Sequence, residues 1–259
     1  MLEFSLLSSG SSGNATLISS GSAKILIDNG LSYKQLNERA ARVGVSLEEL
    51  SAVLITHEHS DHVNGCGVLQ RKTGVPIYMT AATQRHLPLS VGKLDPVRTF
   101  EAGDRFEIGD LSIHSFSVAH DAVDPVSFTV ESNGAKFGLA TDLGHISHLV
   151  RQRLAHSHAL VLESNYCPEM LRLGEYPAQV QQRIRGRLGH LSNQDMSSLL
   201  DDLMHDSLQT VVLVHISQNN NSPERAHLMA QGVLKDHPAQ LYLSTRDEPT
   251  PLFRVLGSC

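Results

Sequence analysis

The chain has no tryptophan, and only five tyrosines and seven phenylalanines among its 259 residues, so platforms on which bases could stack are sparse. Cysteine is scarce too. Cys66, Cys167 and Cys259 are odd in number and far apart, which argues against a disulfide framework and for reduced thiols in a cytoplasm. No apolar run approaches the ~18 residues of a transmembrane candidate, so no membrane partner is expected. The opening Met1-Leu2-Glu3-Phe4-Ser5 lacks a basic stretch followed by an apolar one, and no export signal is expected. Positive charge is not in excess either: a net charge of −6 argues against a surface coated in basic residues to hold nucleic acid non-specifically. A local anion site around bound cations stays compatible with that balance. With 41% hydrophobic content, residues 1–259 suit one large domain with a substantial core.

Histidine, by contrast, is abundant at fifteen residues. The stretch Thr56-His57-Glu58-His59-Ser60-Asp61-His62 follows the apolar run Ala52-Val53-Leu54-Ile55 directly. His57 and His59, two apart at a strand end, can point the same way. Asp61 and His62 follow after the backbone has turned and can face a second ion. Imidazole mixed with carboxylate suits a catalytic first-row metal. The alternative is a histidine-rich surface loop.

Around this motif the sequence alternates strands and helices. Ala15 to Ile18 and Ala23 to Ile27 predict a hairpin, and Val126 to Glu131 and Ala135 to Ala140 a second one about Asn133-Gly134. Strands are predicted at Ala52 to Ile55, Pro76 to Met79, Ala159 to Leu162, Thr210 to Val214 and Leu241 to Leu243. Ser32 to Gln35 forms a capping box for a helix ending near Gly44. Further helices are predicted for His62 to Lys72, Pro177 to Arg187, Ser192 or Asn193 to His205, and Ser222 to about Lys235. Asp28, His57, Asp142, Glu163 and His215 each fall at the C-terminal end of a strand, where active sites collect in layered α/β folds. His120, Asp142 and His215 each end an apolar or alternating segment. Singly, each reads as a satisfied core or capping residue; together with the first motif they read as one shared site. The remaining histidines, His158 and His205 among them, are expected in surface or capping roles.

The order Asp28, His57-x-His59-x-Asp61-His62, His120, Asp142, His215 resembles the metallo-β-lactamase superfamily over nearly the whole chain. The resemblance implies a four-layer αββα sandwich of two mixed sheets. It implies that His57, His59 and His120 bind one divalent ion, that Asp61, His62 and His215 bind a second, and that Asp142 bridges them. Asp28 would support the ligands without being one. Zn or Mn, with Fe as a further option, would fill such sites.

Glu163, Gly189-His190-Leu191-Ser192-Asn193 and Val214-His215-Ile216-Ser217 resemble the late motifs of the superfamily's nucleases, where a glutamate orients a histidine beside the scissile phosphate. With Leu7-Ser8-Ser9-Gly10-Ser11-Ser12-Gly13-Asn14-Ala15 and Asn219-Asn220-Asn221, the pattern is closest to the YycJ (WalJ) family. That family is regarded as DNA exonucleases linked to 5′-end processing. Two cations about 3.5–4 Å apart can hold a bridging hydroxide and clamp a phosphate oxygen. Asp61 then counts with the catalytic set, and His190 held by Glu163 is the donor to the leaving oxygen, or else a helix cap. Ser11, Ser12 and Asn14, as part of a phosphate nest or a plain turn, are candidates for substrate contact. Arg185 among Arg183, Arg185 and Arg187, and Asn219 and Asn220, are further candidates. The expected partner is nucleic acid, DNA first. The alternatives are a same-fold hydrolase of a cyclic phosphodiester, thioester or lactone, an RNA-processing nuclease, and a di-iron redox protein.

Overall fold

In a computed structural model describing residues 1–257, every named strand lies in one of two seven-stranded sheets. Cys259 lies outside the described residues, and the expectation of a reduced thiol there goes with it; Cys66 and Cys167 are free and buried. The first sheet runs, edge to edge, β14 (Phe253–Val255), β1 (Leu2–Ser8), β2 (Ala15–Ser19), β3 (Lys24–Ile27), β4 (Ala52–Leu54), β5 (Ile77–Thr80) and β6 (Val97–Phe100). The second runs β13 (Gln240–Leu243), β12 (Thr210–Val214), β11 (Ala159–Glu163), β10 (Ala135–Ala140), β9 (Val126–Ser132), β8 (Leu111–Ser117) and β7 (Arg105–Ile108). Both are mixed. Pairing is antiparallel from β14 to β3 and parallel from β3 to β6. In the second sheet it is antiparallel from β7 to β10 and parallel from β10 to β13.

Strand alternation sorts the side chains into three apolar layers. Leu2, Phe4, Leu6, Ile25 and Ile27 face the layer between the sheets, where they meet Phe128, Phe137, Val161 and Val212. Leu7, Leu17, Leu26 and Val53 point the other way, as do Leu160, Leu162 and Leu213 on the second sheet. Strands buried on both faces read as unbroken apolar runs, which is why Thr210 to Val214 shows no polar side. Phe4 stands 4.9 Å from Phe137 of the opposite sheet, ring centre to ring centre. Its loss to alanine would cost about 3–5 kcal/mol.

The helices cover the outer faces, which makes the expected αββα sandwich. They are α1 (Tyr33–Arg42), α2 (Ser60–Val63), α3 (Cys66–Thr73), α4 (Ala81–Arg85), α5 (His148–Leu154), α6 (Pro168–Leu173), α7 (Ala178–Ile184), α8 (Asn193–Asp202) and α9 (Pro223–Val233). Ser32 caps α1 through the predicted box. At the Asn133-Gly134 turn φ is 49° and 76°, the backbone a two-residue hairpin requires.

Two helices differ from expectation. The stretch from His62 to Lys72 is broken at Asn64-Gly65 into α2 and α3, because the backbone there packs on the loop after β3. Gly65 N–H donates to Asn29 O at 2.9 Å, and a Cβ on Gly65 would lie 1.9 Å from Leu31 O. The stretch from Pro177 to Arg187 is helical only as α7, with Pro177 at the cap position. Its end is forced by a tight return, in which His190 N–H donates to Ile184 O at 2.9 Å. His158 is buried, and its Nδ1 accepts from Lys136 N–H at 3.1 Å, so it is not a surface histidine.

Candidate metal centre

Both sheets present the C-terminal ends of their parallel strands at one rim of the sandwich. Asp28 follows β3, Asp142 follows β10 by two residues, Glu163 ends β11 and His215 follows β12. Asp28, Asp142 and His215 all have left-handed backbones, with φ of 60°, 54° and 55°. Such a conformation is strained by about 1–3 kcal/mol for a residue with a Cβ. It turns three chemically active side chains back across the strand ends.

Three imidazoles form the first pocket. His57 Nε2 lies 3.0 Å from His59 Nδ1, and His120 Nε2 lies 3.3 Å from the same atom. Behind them, His57 Nδ1 is 2.9 Å from Thr56 Oγ1, and His120 Nδ1 is 3.2 Å from Gly189 O. Burial, with the neighbouring His62, holds His57 well below the ordinary imidazole range, and burial lowers His120. Neutral imidazoles are the form that ligates cations.

Beside this pocket the donors are of mixed type, and those close enough together to hold an ion are His57, His62 and Asp142, and Asp142, Glu163, His190 and His215. His62 Nε2 lies 3.3 Å from Asp142 Oδ2 and 3.5 Å from Asp61 Oδ2, and His215 Nε2 lies 4.0 Å from Asp61 Oδ2. Asp28 is spent on support: Oδ1 accepts from Thr56 N–H at 2.8 Å, and Oδ2 lies 2.8 Å from both Thr56 Oγ1 and His62 Nδ1. Burial works against charge on His62, but Asp28 and Asp142 outweigh it and raise its pKa well above the usual value. Asp142 lies between the pockets, since its Oδ1 is also 3.9 Å from His120 Nε2.

On the far side of Asp142 stands a third group. Glu163 Oε1 lies 2.7 Å from His190 Nδ1 and 3.1 Å from His215 Nδ1, and His215 Nδ1 is also 3.1 Å from Asp142 Oδ1. Burial would push the Glu163 carboxyl up, yet the His190 imidazole beside it brings it below its ordinary value. His190 is raised in turn: Glu163 outweighs the effect of burial.

The structure thus brings together Asp28, His57, His59, Asp61, His62, His120, Asp142, Glu163, His190 and His215, with Asn14 against Asp61. Ser11 and Ser12 are exposed on the loop above, and Arg185 is exposed at the end of α7. Among the described residues, Asn219 and Asn220 share no hydrogen bond or ion pair with the cluster. Asn219 Nδ2 donates to Tyr176 Oη at 2.9 Å, and the Asn220 side chain is buried. Sequence reasoning did not single out Thr56 or Ser9, whose hydroxyl accepts from His215 N–H at 2.8 Å. Thr56 adjoins His57 in the motif itself, so position was its only signal. Ser9 is one of several serines in its loop, and nothing marks it.

Residues 23–216 match the family described as the Beta-lactamase superfamily domain. Fold and clustered donors together define a metal-dependent hydrolase of the metallo-β-lactamase class. Exodeoxyribonuclease YycJ of Bacillus anthracis is 35% identical over 237 residues, covering 91% of this chain and 90% of its own. Exodeoxyribonuclease WalJ of Streptococcus pneumoniae is 36% identical over 265 residues, covering 98% of both. The chain belongs to the YycJ (WalJ) family of that superfamily. The crystal structure of YhfI from Bacillus subtilis shares the fold at a TM-score of 0.72 and 15% identity, covering 96% of this chain and 99% of that one.

Proposed function

We propose that the chain is a dinuclear metal-dependent phosphodiesterase acting on nucleic acid, and more narrowly a cytoplasmic DNA exonuclease that processes 5′ ends. The observation that carries the reading is Asp142, whose carboxylate lies between a three-imidazole pocket and a His/Asp pocket and borders the Glu163–His190 pair. The donor set fits divalent first-row ions, with Zn or Mn preferred and Fe compatible. His57, His59 and His120 would hold one, Asp61, His62 and His215 the other, and Asp142 both. Such ions, when bound, withdraw charge from phosphoryl oxygens and acidify water.

The protein's own residues then account for the rest. Asp28 and Thr56 fix the rings of His62 and His57, as outer-shell partners of ligands do. Glu163 takes the Nδ1 side of His190, which leaves Nε2 to deliver a proton to the leaving oxygen. The raised pKa of His190 favours the proton-bearing form that this role needs. Arg183, Arg185 and Arg187 are exposed on the run into His190 and would meet phosphates. Arg183 is already at the rim: its Nε lies 3.6 Å from Asp121 Oδ2, whose partner oxygen is 3.3 Å from His120 Nε2. The names of the two relatives that span nearly the whole chain support DNA over a small molecule.

The test is end-labelled duplex DNA, single-stranded DNA, RNA and a chromogenic diester, each with Mn²⁺ or Zn²⁺. Stepwise shortening of DNA from the 5′ end, weakening as salt rises, is expected. Efficient cleavage of a lactone or thioester, with every nucleic acid left intact, would overturn the reading.

A further inference from the structure

Asn14 lies in the loop between β1 and β2, buried, with its carboxamide engaged at both ends. Oδ1 accepts from Gly10 N–H at 2.8 Å, which fixes the face the amide nitrogen presents. Nδ2 then lies 3.1 Å from Asp61 Oδ2 and 3.0 Å from His62 Nε2. The backbone repeats the tie: Asn14 N–H donates to Asp61 O at 2.8 Å, and Gly30 N–H donates to Asn14 O at 3.0 Å. The approach is so close that a Cβ on Gly30 would lie 1.8 Å from Asp61 O. Near the loop's start, Ser9 Oγ accepts from His215 N–H at 2.8 Å. The loop therefore holds the Asp61 carboxylate and the His215 backbone, while the amide also abuts His62 Nε2, the atom His62 would offer to an ion, a contact that metal binding would displace. Among the described residues the loop makes no hydrogen bond to His57, His59 or His120.

We infer that Asn14, with Ser9, is the positioning element of the second metal pocket, and that the loop carrying them is a ligand clamp more than a phosphate nest. The inference rests on the dinuclear reading above and deepens it. An amide NH₂ offers donors only, so Asn14 Nδ2 cannot ligate a cation. What it does is hold one carboxylate oxygen of Asp61, setting the direction in which the carboxylate faces the ion. A hydroxyl at this position would be too short, and a carboxylate would repel Asp61. Ser9 acts one step further back, on the left-handed backbone of His215.

Calorimetric titration of Mn²⁺ into chelator-treated protein reads the two pockets separately. Wild type should take up two ions. In Asn14→Ala the first ion should keep its wild-type Kd, while the Kd of the second rises about 10–100-fold, the usual penalty for losing an outer-shell partner. Ser9→Ala should weaken the same ion by less, and it decides the matter if Asn14→Ala does not fold. Unchanged second-ion affinity in the folded variants overturns the inference, and so does equal weakening of both ions, which would mark a general structural defect. A wild type that takes up a single ion would instead sink the dinuclear reading.

Discussion

Glu163 spends all of its hydrogen-bonding capacity on four partners. Oε1 serves His190 Nδ1 at 2.7 Å and His215 Nδ1 at 3.1 Å, while Oε2 accepts from Leu143 N–H at 2.7 Å and Leu191 N–H at 3.3 Å. The two backbone N–H groups donate, and with both imidazoles carrying a proton on Nδ1 all four partners do, which an ionised carboxylate satisfies. Glu163→Gln must turn an NH₂ toward two other donors, and it should cost about 1–3 kcal/mol of stability besides activity, measurable by denaturant unfolding. A variant as stable as wild type would show that the carboxylate only orients His190. His190→Ala makes a different prediction, because the six pocket residues and Asp142 remain. It should retain both ions and lose roughly 10²–10⁴-fold in turnover, with most of the loss rescued by a substrate bearing a better leaving group. Loss of one metal equivalent would make His190 a ligand. At this scale the sequence was highly legible where spacing carries the signal. His57-x-His59-x-Asp61-His62 is readable because neighbours in sequence share one turn. The contacts of Glu163 with His215, and of Asn14 with Asp61, were not, because each joins segments that only the folded sheets bring together.

Between elements, close backbone approach decides what the apolar pattern cannot. The break between α2 and α3 places Gly65 against Leu31 O, where a Cβ would come within 1.9 Å. Gly65→Ala should therefore cost about 1–3 kcal/mol and lower the melting temperature by several degrees. Unchanged stability would show that α2 and α3 can move apart freely. A helical period running from His62 to Lys72 gives no sign of this break, because a lone glycine in such a pattern is usually tolerated. The edges of the sheets were equally hard to read. Polar, half-exposed β6 and β7 lack the apolar runs that mark Ala52 to Ile55 or Thr210 to Val214. One polar link between turns carries a pH signature. Asp110, after β7, accepts hydrogen bonds from Ser20 and Ser22 in the β2–β3 turn, and these hydroxyls bring its carboxyl down to about 2. A group depressed below its unfolded value of about 3.9 stabilises the fold above that pH and loses the contribution as pH falls through about 2. The site is exposed, so the contribution is small. Carbon-detected NMR titration should place the Asp110 midpoint near 2, and a midpoint near 4 would contradict these hydrogen bonds.

Across the whole molecule, two sheets of the same mixed plan meet with their parallel halves delivering donors to one rim. The first sheet supplies Asp28 and the His57 to His62 motif, and the second supplies Asp142, Glu163 and His215. A cation held by both therefore ties the two sheets together, and chelation should lower the melting temperature in a way that added metal restores, since ligands that bind only the folded state stabilise it by mass action. A melting temperature indifferent to chelator would contradict a site shared by the sheets. The most direct measurement follows cleavage of end-labelled duplex DNA while Mn²⁺ is added to chelator-treated protein in known equivalents. Nuclease activity should stay near zero through the first equivalent and rise steeply to a plateau at the second. Full activity at one equivalent, or none at two, would contradict a phosphodiesterase built on Asp142 shared between two ions.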